Sequence, residues 1–261
     1  MRRAPVPVVV LAILGVLLLG LPVVALAVRA PWSRAVDALA GAGAWTALRL
    51  SIVVSVAATA IVVALGVPLA WLLARVRFPG RSLLRALVVL PIVLPPVVGG
   101  VGLLAALGRS GVAGRVLYER VGVQLTFTTA GAVVAAAFVS MPFVVLAAEA
   151  AFRSVDPRLE AAAATLGGRP AYVFRRVTVP LVAPQLAAGT VLAWARALGE
   201  FGATITFAGN LPGRTQTLPL AVFEARQTDP AGAVVLSLLL VAVSVGVLVG
   251  IRGRVGATGG T

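Results

Sequence analysis

The chain has 261 residues, 60% of them hydrophobic and only 11% charged, with a net charge of +14 and a mean hydropathy of +1.07. That is too apolar for a soluble globule or a disordered chain, and it predicts one integral membrane domain. There is no Cys, His or Lys, so disulfides, imidazole and thiol chemistry, zinc fingers and a Walker A lysine are excluded.

All 22 cations are therefore Arg, and eight acids are spread too thinly for a carboxylate metal site. The chain is expected to be no enzyme, with no catalytic residue, metal or cofactor. Any ATP it depends on is hydrolysed by another subunit. Its basic character is read as Arg beside anionic lipid headgroups, not as nucleic-acid binding.

Charges mark off the spans. The first apolar run lies between Arg3 and Arg29, 25 uncharged residues. Ala25-Leu26-Ala27 mimics a signal cleavage site, but the run exceeds the roughly 7–15 residues of a signal core, which predicts a retained helix over residues 1–30. The second span lies between Arg49 and Arg75. Ser51, Ser55 and Thr59 fall on one face of it, as a helix-packing surface, and Gly66 and Pro68 are breakers. The third lies between Arg85 and Arg109 and contains Pro91, Pro95, Pro96, Gly99 and Gly100. Proline removes a helical hydrogen bond, and the freed carbonyls need protein or water partners, so this span predicts a pathway-lining helix. The fourth lies between Arg120 and Glu149, with Pro142 inside.

The 151–183 loop is too long for a bare connection. Asp156 is a good N-cap, Pro157 a good first helical residue, and 158–166 are helix formers. Gly167-Gly168 supplies a stop. A short capped helix is expected there, with a second from Pro170 ending near Pro180. A helix lying passively on the membrane surface is the alternative.

The fifth span is expected from about Pro184 to Phe207. Arg196 and Glu200 within it would lie roughly 18 Å and 24 Å along the helix, near and above mid-membrane. Such charges face a partner or a cavity. The two readings are a mutual ion pair that locks packing, and a pathway lining in which Arg196 helps an oxyanion past. Phe207 to Thr217 follows as a polar loop. The sixth span lies between Asp229 and Arg252, with Gly246 and Gly250 as a packing surface. Six spans are thus predicted. The loops of one set, with both termini, hold 13 Arg and three acids, against 8 Arg and four acids in the other. The richer side is expected to be cytoplasmic, with both termini inside.

Leu159-Glu160-Ala161-Ala162-Ala163-Ala164-Thr165-Leu166-Gly167, with Val177-Thr178-Val179-Pro180 following after nine residues, resembles the signature of ABC importer permeases. The signature acid would fall on Ala161, and Glu160 stands one residue earlier. Arg196-Ala197-Leu198-Gly199-Glu200-Phe201-Gly202-Ala203-Thr204, followed by Gly213-Arg214-Thr215-Gln216-Thr217-Leu218-Pro219, is similar to the molybdate-type permeases and shares its core with sulfate permeases. The Leu90–Gly99 run is similar to the same subfamily.

The resemblance implies an all-α membrane protein of the type I importer permease fold. Its permease domain would cover 45–250, with residues 251–261 as a short cytoplasmic tail. Asp156, Glu160, Ala161, Ala162, Gly167 and Pro180 would form the ATPase-coupling loop between spans four and five. Pro95, Pro96, Arg196, Glu200, Phe201 and Gly202 would lie along the pathway and gate. Asn210, Gln216 and Thr217 would face an external binding protein. The implied partners are a cytoplasmic ABC ATPase, an oxyanion-binding protein and a second copy of the chain, in a bacterial inner membrane. The implied function is import of molybdate or tungstate. Sulfate or thiosulfate import is the near alternative, and an ion-driven secondary transporter the distant one.

Overall fold

The computed structural model describes residues 5–257. Among them there are only helices and connections: α1 (Val6–Arg29), α2 (Trp32–Ala40), α3 (Ala42–Arg75), α4 (Arg81–Val93), α5 (Pro96–Leu107), α6 (Gly114–Val121), α7 (Thr129–Ser154), α8 (Pro157–Thr165), α9 (Pro170–Val173), a π-helical turn (Phe174–Thr178), α10 (Val179–Leu198), α11 (Gly202–Phe207), α12 (Leu218–Thr228) and α13 (Pro230–Ala257).

The core is built on α7, flanked by α3 and α10. Small residues dominate the contact: Ala58, Ala132, Ala136, Ala193 and Ala197 are all buried in one cluster. Without a hydrophobic drive between helices in lipid, close backbone approach is what holds such a bundle. Gly66 illustrates it, since a Cβ there would sit 3.2 Å from Cγ2 of Val145. A second cluster, around Leu73, Val145, Phe152 and Val182, closes the end nearer α8. By contrast, α1 buries none of its residues, and its main packing contact within the chain is with α13.

Five helical stretches are long and apolar enough to cross a membrane: 6–29, 43–75, 129–154, 170–198 and 230–247. The expected third span is not one helix. Pro95 holds Leu94 extended (φ −69°, ψ 134°), Pro96 does the same to Pro95 (φ −53°, ψ 133°), and Pro96 then starts α5. A residue before proline is excluded from helical geometry, so the pair divides the segment into α4 and α5. Single prolines are tolerated: Pro68 lies inside α3, and Pro142 inside α7.

The expected fifth span is displaced. Its helix runs without interruption from Pro170 to Leu198. Pro180 does not end it, because the π turn just before takes up the missing N–H: Val179 N–H donates to the Phe174 carbonyl five residues back. Arg196 is therefore 26 residues from the start, about 39 Å along the helix, at the end away from α8 rather than near its middle. The helix stops at Leu198, and Glu200 lies in the break before α11. Two further points concern α13. Gly246 and Gly250 meet nothing within 4 Å, so they pack against no described part of the chain. Residues 251–257 continue α13 past the candidate span that ends at Val247, while 258–261 lie outside the described residues.

Candidate functional site

The two helix breaks meet. A Cβ on Gly202 would lie 2.8 Å from Cβ of Pro96, and one on Gly100 would lie 2.6 Å from Cβ of Thr206. The start of α5 and the whole of α11 are thus in backbone contact. Pro95, Pro96, Glu200, Phe201 and Gly202, far apart in sequence, are brought to one place, with Arg196 beside them.

Glu200 organises this place. It is 2% exposed. Its Oε1 accepts from the Ala203 backbone N–H at 2.8 Å, and its Oε2 lies 2.7 Å from Nη1 of Arg196. The carboxylate therefore serves the N-terminus of α11 and neutralises a partly exposed arginine together. An acid at a helix N-terminus is favoured by the orphan N–H groups and the helix dipole. That competition for backbone donors also explains why the helix stops here. The mutual ion pair read from the spacing is present. Phe201 turns outward and packs on Phe223 of α12, ring centres 5.0 Å apart.

Beyond α11 the polar loop is pinned from inside. Asn210 Nδ2 and Gln216 Nε2 both donate to Oε2 of Glu224, at 2.8 and 2.6 Å. Thr217 is 4% exposed and buried at the start of α12, so it is not available to face a partner. Gly209 has φ +77°, and the Phe127 ring comes within 2.9 Å of where its Cβ would stand, so both the backbone and the space favour glycine. Ser51 has a role beyond packing: its hydroxyl accepts from the Leu218 N–H at 2.6 Å and caps α12.

The opposite end carries α8. Asp156 accepts from the Arg158 N–H, Pro157 opens the helix, and Gly167 follows it at φ +85°. Ala161 and Ala162 are exposed. Glu160 points into the chain. Its Oε1 accepts from Thr178 Oγ1 at 2.7 Å and from Arg75 Nη2 at 3.2 Å, joining α8 to the end of α3 and to the π turn. Glu149, taken from sequence as a loop acid, is buried inside α7, where it pairs with Arg85 and with Arg153 at 2.8 Å. Arg81 donates to the Leu73 carbonyl at the last turn of α3. Arg75, Glu149, Thr178, Ser51 and Glu224 were not picked out as site-building residues. The i,i+4 spacing of Glu149 and Arg153 was the one available local signal. The other pairs bridge residues too distant in sequence to be seen there.

Comparison with known proteins agrees with this architecture. Residues 66–254 match the family described as binding-protein-dependent transport system inner membrane component. The molybdenum transport system permease protein ModB of Mycobacterium tuberculosis is 49% identical over 243 residues, 93% of this chain and 92% of that one. The protein of the same name from Escherichia coli K12 is 46% identical over 202 residues, 77% and 88% of the two chains. The sulfate transport system permease protein CysT of Salmonella typhimurium is 40% identical over 179 residues, 68% and 64%. Among solved structures, a bacterial ABC transporter for import of the acidic polysaccharide alginate superposes with a TM-score of 0.78 at 17% identity, over 96% of this chain and 94% of that one. The same transporter system in complex with its alginate-bound periplasmic protein gives 0.75 at 16%, over 93% and 90%. The chain belongs to the family of binding-protein-dependent transport system inner membrane components, and it is a multi-pass membrane protein.

Proposed function

We propose that this chain is the membrane subunit of an ATP-driven importer of molybdate, or of the similar tungstate. The observation that carries this reading is the 49% identity, over 93% of the chain, to a molybdenum permease. Similarity to a sulfate permease is lower and covers less of the chain, which makes sulfate the second choice. Membership of a binding-protein-dependent family removes the support for an ion-driven carrier.

In this reading α4 and α5 together count as one broken crossing, giving six. The arginine-rich end with α8 is cytoplasmic, and both termini lie there. α8 docks on a separate ATPase with its exposed Ala161, Ala162, Leu159 and Leu166. Asp156 and Gly167 set its two ends, and Pro180 follows the π turn that receives it. Glu160 acts inside the chain, passing movement of α8 to α3 and α10. Two copies enclose the pathway. The contact of α5 with α11 is the gate region, where Arg196 is the cation available to a passing oxyanion. A pathway cation must hold the anion weakly, and pairing with Glu200 weakens it. The loop carrying Asn210 and Gln216 meets the external binding protein, a role proposed without Thr217.

The test is reconstitution in liposomes with the ATPase and the binding protein. Labelled molybdate should accumulate only when ATP and all three proteins are present. Accumulation with the ATPase omitted would overturn the proposal.

A further inference from the structure

At the α8 end, Arg169, Tyr172, Arg175, Arg176 and Pro180 line a cleft of about 710 Å³. None of the three arginines has an ion pair or side-chain hydrogen bond to another described residue. Four other arginines at this end are held within the chain: Arg75, Arg85 and Arg153 by carboxylates and Arg81 by a carbonyl, while Arg77 and Arg158 lie outside the cleft. The acids at this end are also committed. Glu149 serves Arg85 and Arg153, Glu160 serves Arg75 and Thr178, and Asp156 caps its own helix. Three like charges thus share one cleft, and no carboxylate among the described residues pairs with them.

The π turn contributes to this arrangement. It spans Phe174–Thr178 and widens the helix where Arg175 and Arg176 stand, so both line the cleft with Arg169. The cleft also has a defined position relative to α10. The exposed residues Leu181, Gln185, Ala188 and Leu192 recur at helical spacing and form one uncovered stripe. Arginine thus stands near both ends of the continuous helix 170–198, at the cleft and at Arg196.

We infer that this cleft binds a tetrahedral oxyanion group, held by the forks of Arg169, Arg175 and Arg176 with the Tyr172 hydroxyl as a further donor. Guanidinium matches such oxygens in a bidentate manner, and charge-assisted bonds are the strong ones. Two sources carry this chemistry: the free anion at the end of the α10 stripe, and the phosphate of an anionic membrane lipid. The inference rests on the proposed function only for the choice of free probe.

The experiment uses the complex with its ATPase subunit, purified in neutral detergent. Labelled molybdate is titrated by equilibrium dialysis at low salt. In a second arm, retention of phosphatidylglycerol over phosphatidylcholine is read by native mass spectrometry. The variants are Arg169→Gln/Arg175→Gln/Arg176→Gln, the corresponding triple Lys variant, and Arg120→Gln as a control at an exposed arginine outside the cleft. Because the three side chains hold nothing within the chain, the triple Gln variant should still assemble, as read by co-elution with the ATPase. Loss of at least about tenfold in molybdate affinity in the triple Gln variant, but not in Arg120→Gln, assigns the site to the free anion. Selective loss of phosphatidylglycerol retention assigns it to lipid phosphate. The Lys variant, which keeps the charges but not the forks, should fall between wild type and the triple Gln variant in whichever binding is seen. Wild type and triple Gln variant indistinguishable in both arms would overturn the inference. Binding is read without transport, so failed molybdate uptake in cells would leave this result standing.

Discussion

Gly202 stands so close to Pro96 that a Cβ on the glycine would lie 2.8 Å from the proline Cβ. The contact joins two helix interruptions with different causes. One is two consecutive prolines, and the other is a carboxylate that takes over a backbone donor. Where each helix is interrupted, the backbone can approach its partner and can also hinge.

Gly202→Val should therefore be harmful. Overpacking such a contact costs about 1–3 kcal/mol. The thermal midpoint of the complex should fall, and molybdate uptake should drop about tenfold or more. Gly102, six residues along α5 from Pro96, has open space at its Cβ position, so Gly102→Ala should change neither. Equal behaviour of the two variants in uptake would contradict the contact's importance.

Glu200 has two separable duties. Glu200→Gln keeps an acceptor for the Ala203 N–H but loses the charge that pairs with Arg196. Glu200→Ala loses both. Breaking a buried pair from one side costs up to about 3–5 kcal/mol, and losing a helix cap costs about 1 kcal/mol. Thermal unfolding should rank wild type above Gln and Gln above Ala. Arg196→Gln should assemble with the ATPase and import less. Full uptake by an assembled Arg196→Gln complex would remove Arg196 from the pathway.

Gly167 tests α8. Its φ is +85° and no atom crowds its Cβ position, so substitution there meets only backbone strain. That strain costs about 1–2 kcal/mol for most residues and less for Asn. Co-purification of the ATPase should decline in the order Gly, Asn, Ala, and Gly167→Asp should fall with or below Asn. An Ala variant that retains the ATPase as wild type does would remove this turn from the docking element.

The Glu160 contacts should couple α8 to the spans. Arg75→Gln and Glu160→Gln, with the double variant, form a cycle read in anion-stimulated ATPase activity. The double variant should be little worse than either single one. Additive losses would show that the two residues act separately.

The apolar runs between charges, the arginine bias and the capped helix at 156–167 were all legible in the sequence, because each is a local or compositional signal. The break at Pro95-Pro96 was legible as a breaker cluster but not as a division into two helices. The continuation through Pro180 was not legible, since it depends on a π turn that no residue pattern announced. The shift of Arg196 from mid-helix to helix end follows from that same miss, because the helix starts at Pro170 and not Pro184. Glu160 shows the limit most clearly. Its displacement by one position from the signature was visible, but its partners, Arg75 and Thr178, are 85 and 18 residues away. Thr217 looked like part of a polar loop because composition does not report burial.

The most direct test of the central claim is uptake of labelled molybdate at trace concentration, in cells with and without this gene, with excess sulfate as competitor. Uptake should be lost on deletion, restored by the wild-type gene and unaffected by sulfate. Unchanged molybdate uptake in cells with no second molybdate system, accompanied by impaired sulfate uptake, would contradict the claim and move the chain to the sulfate permeases.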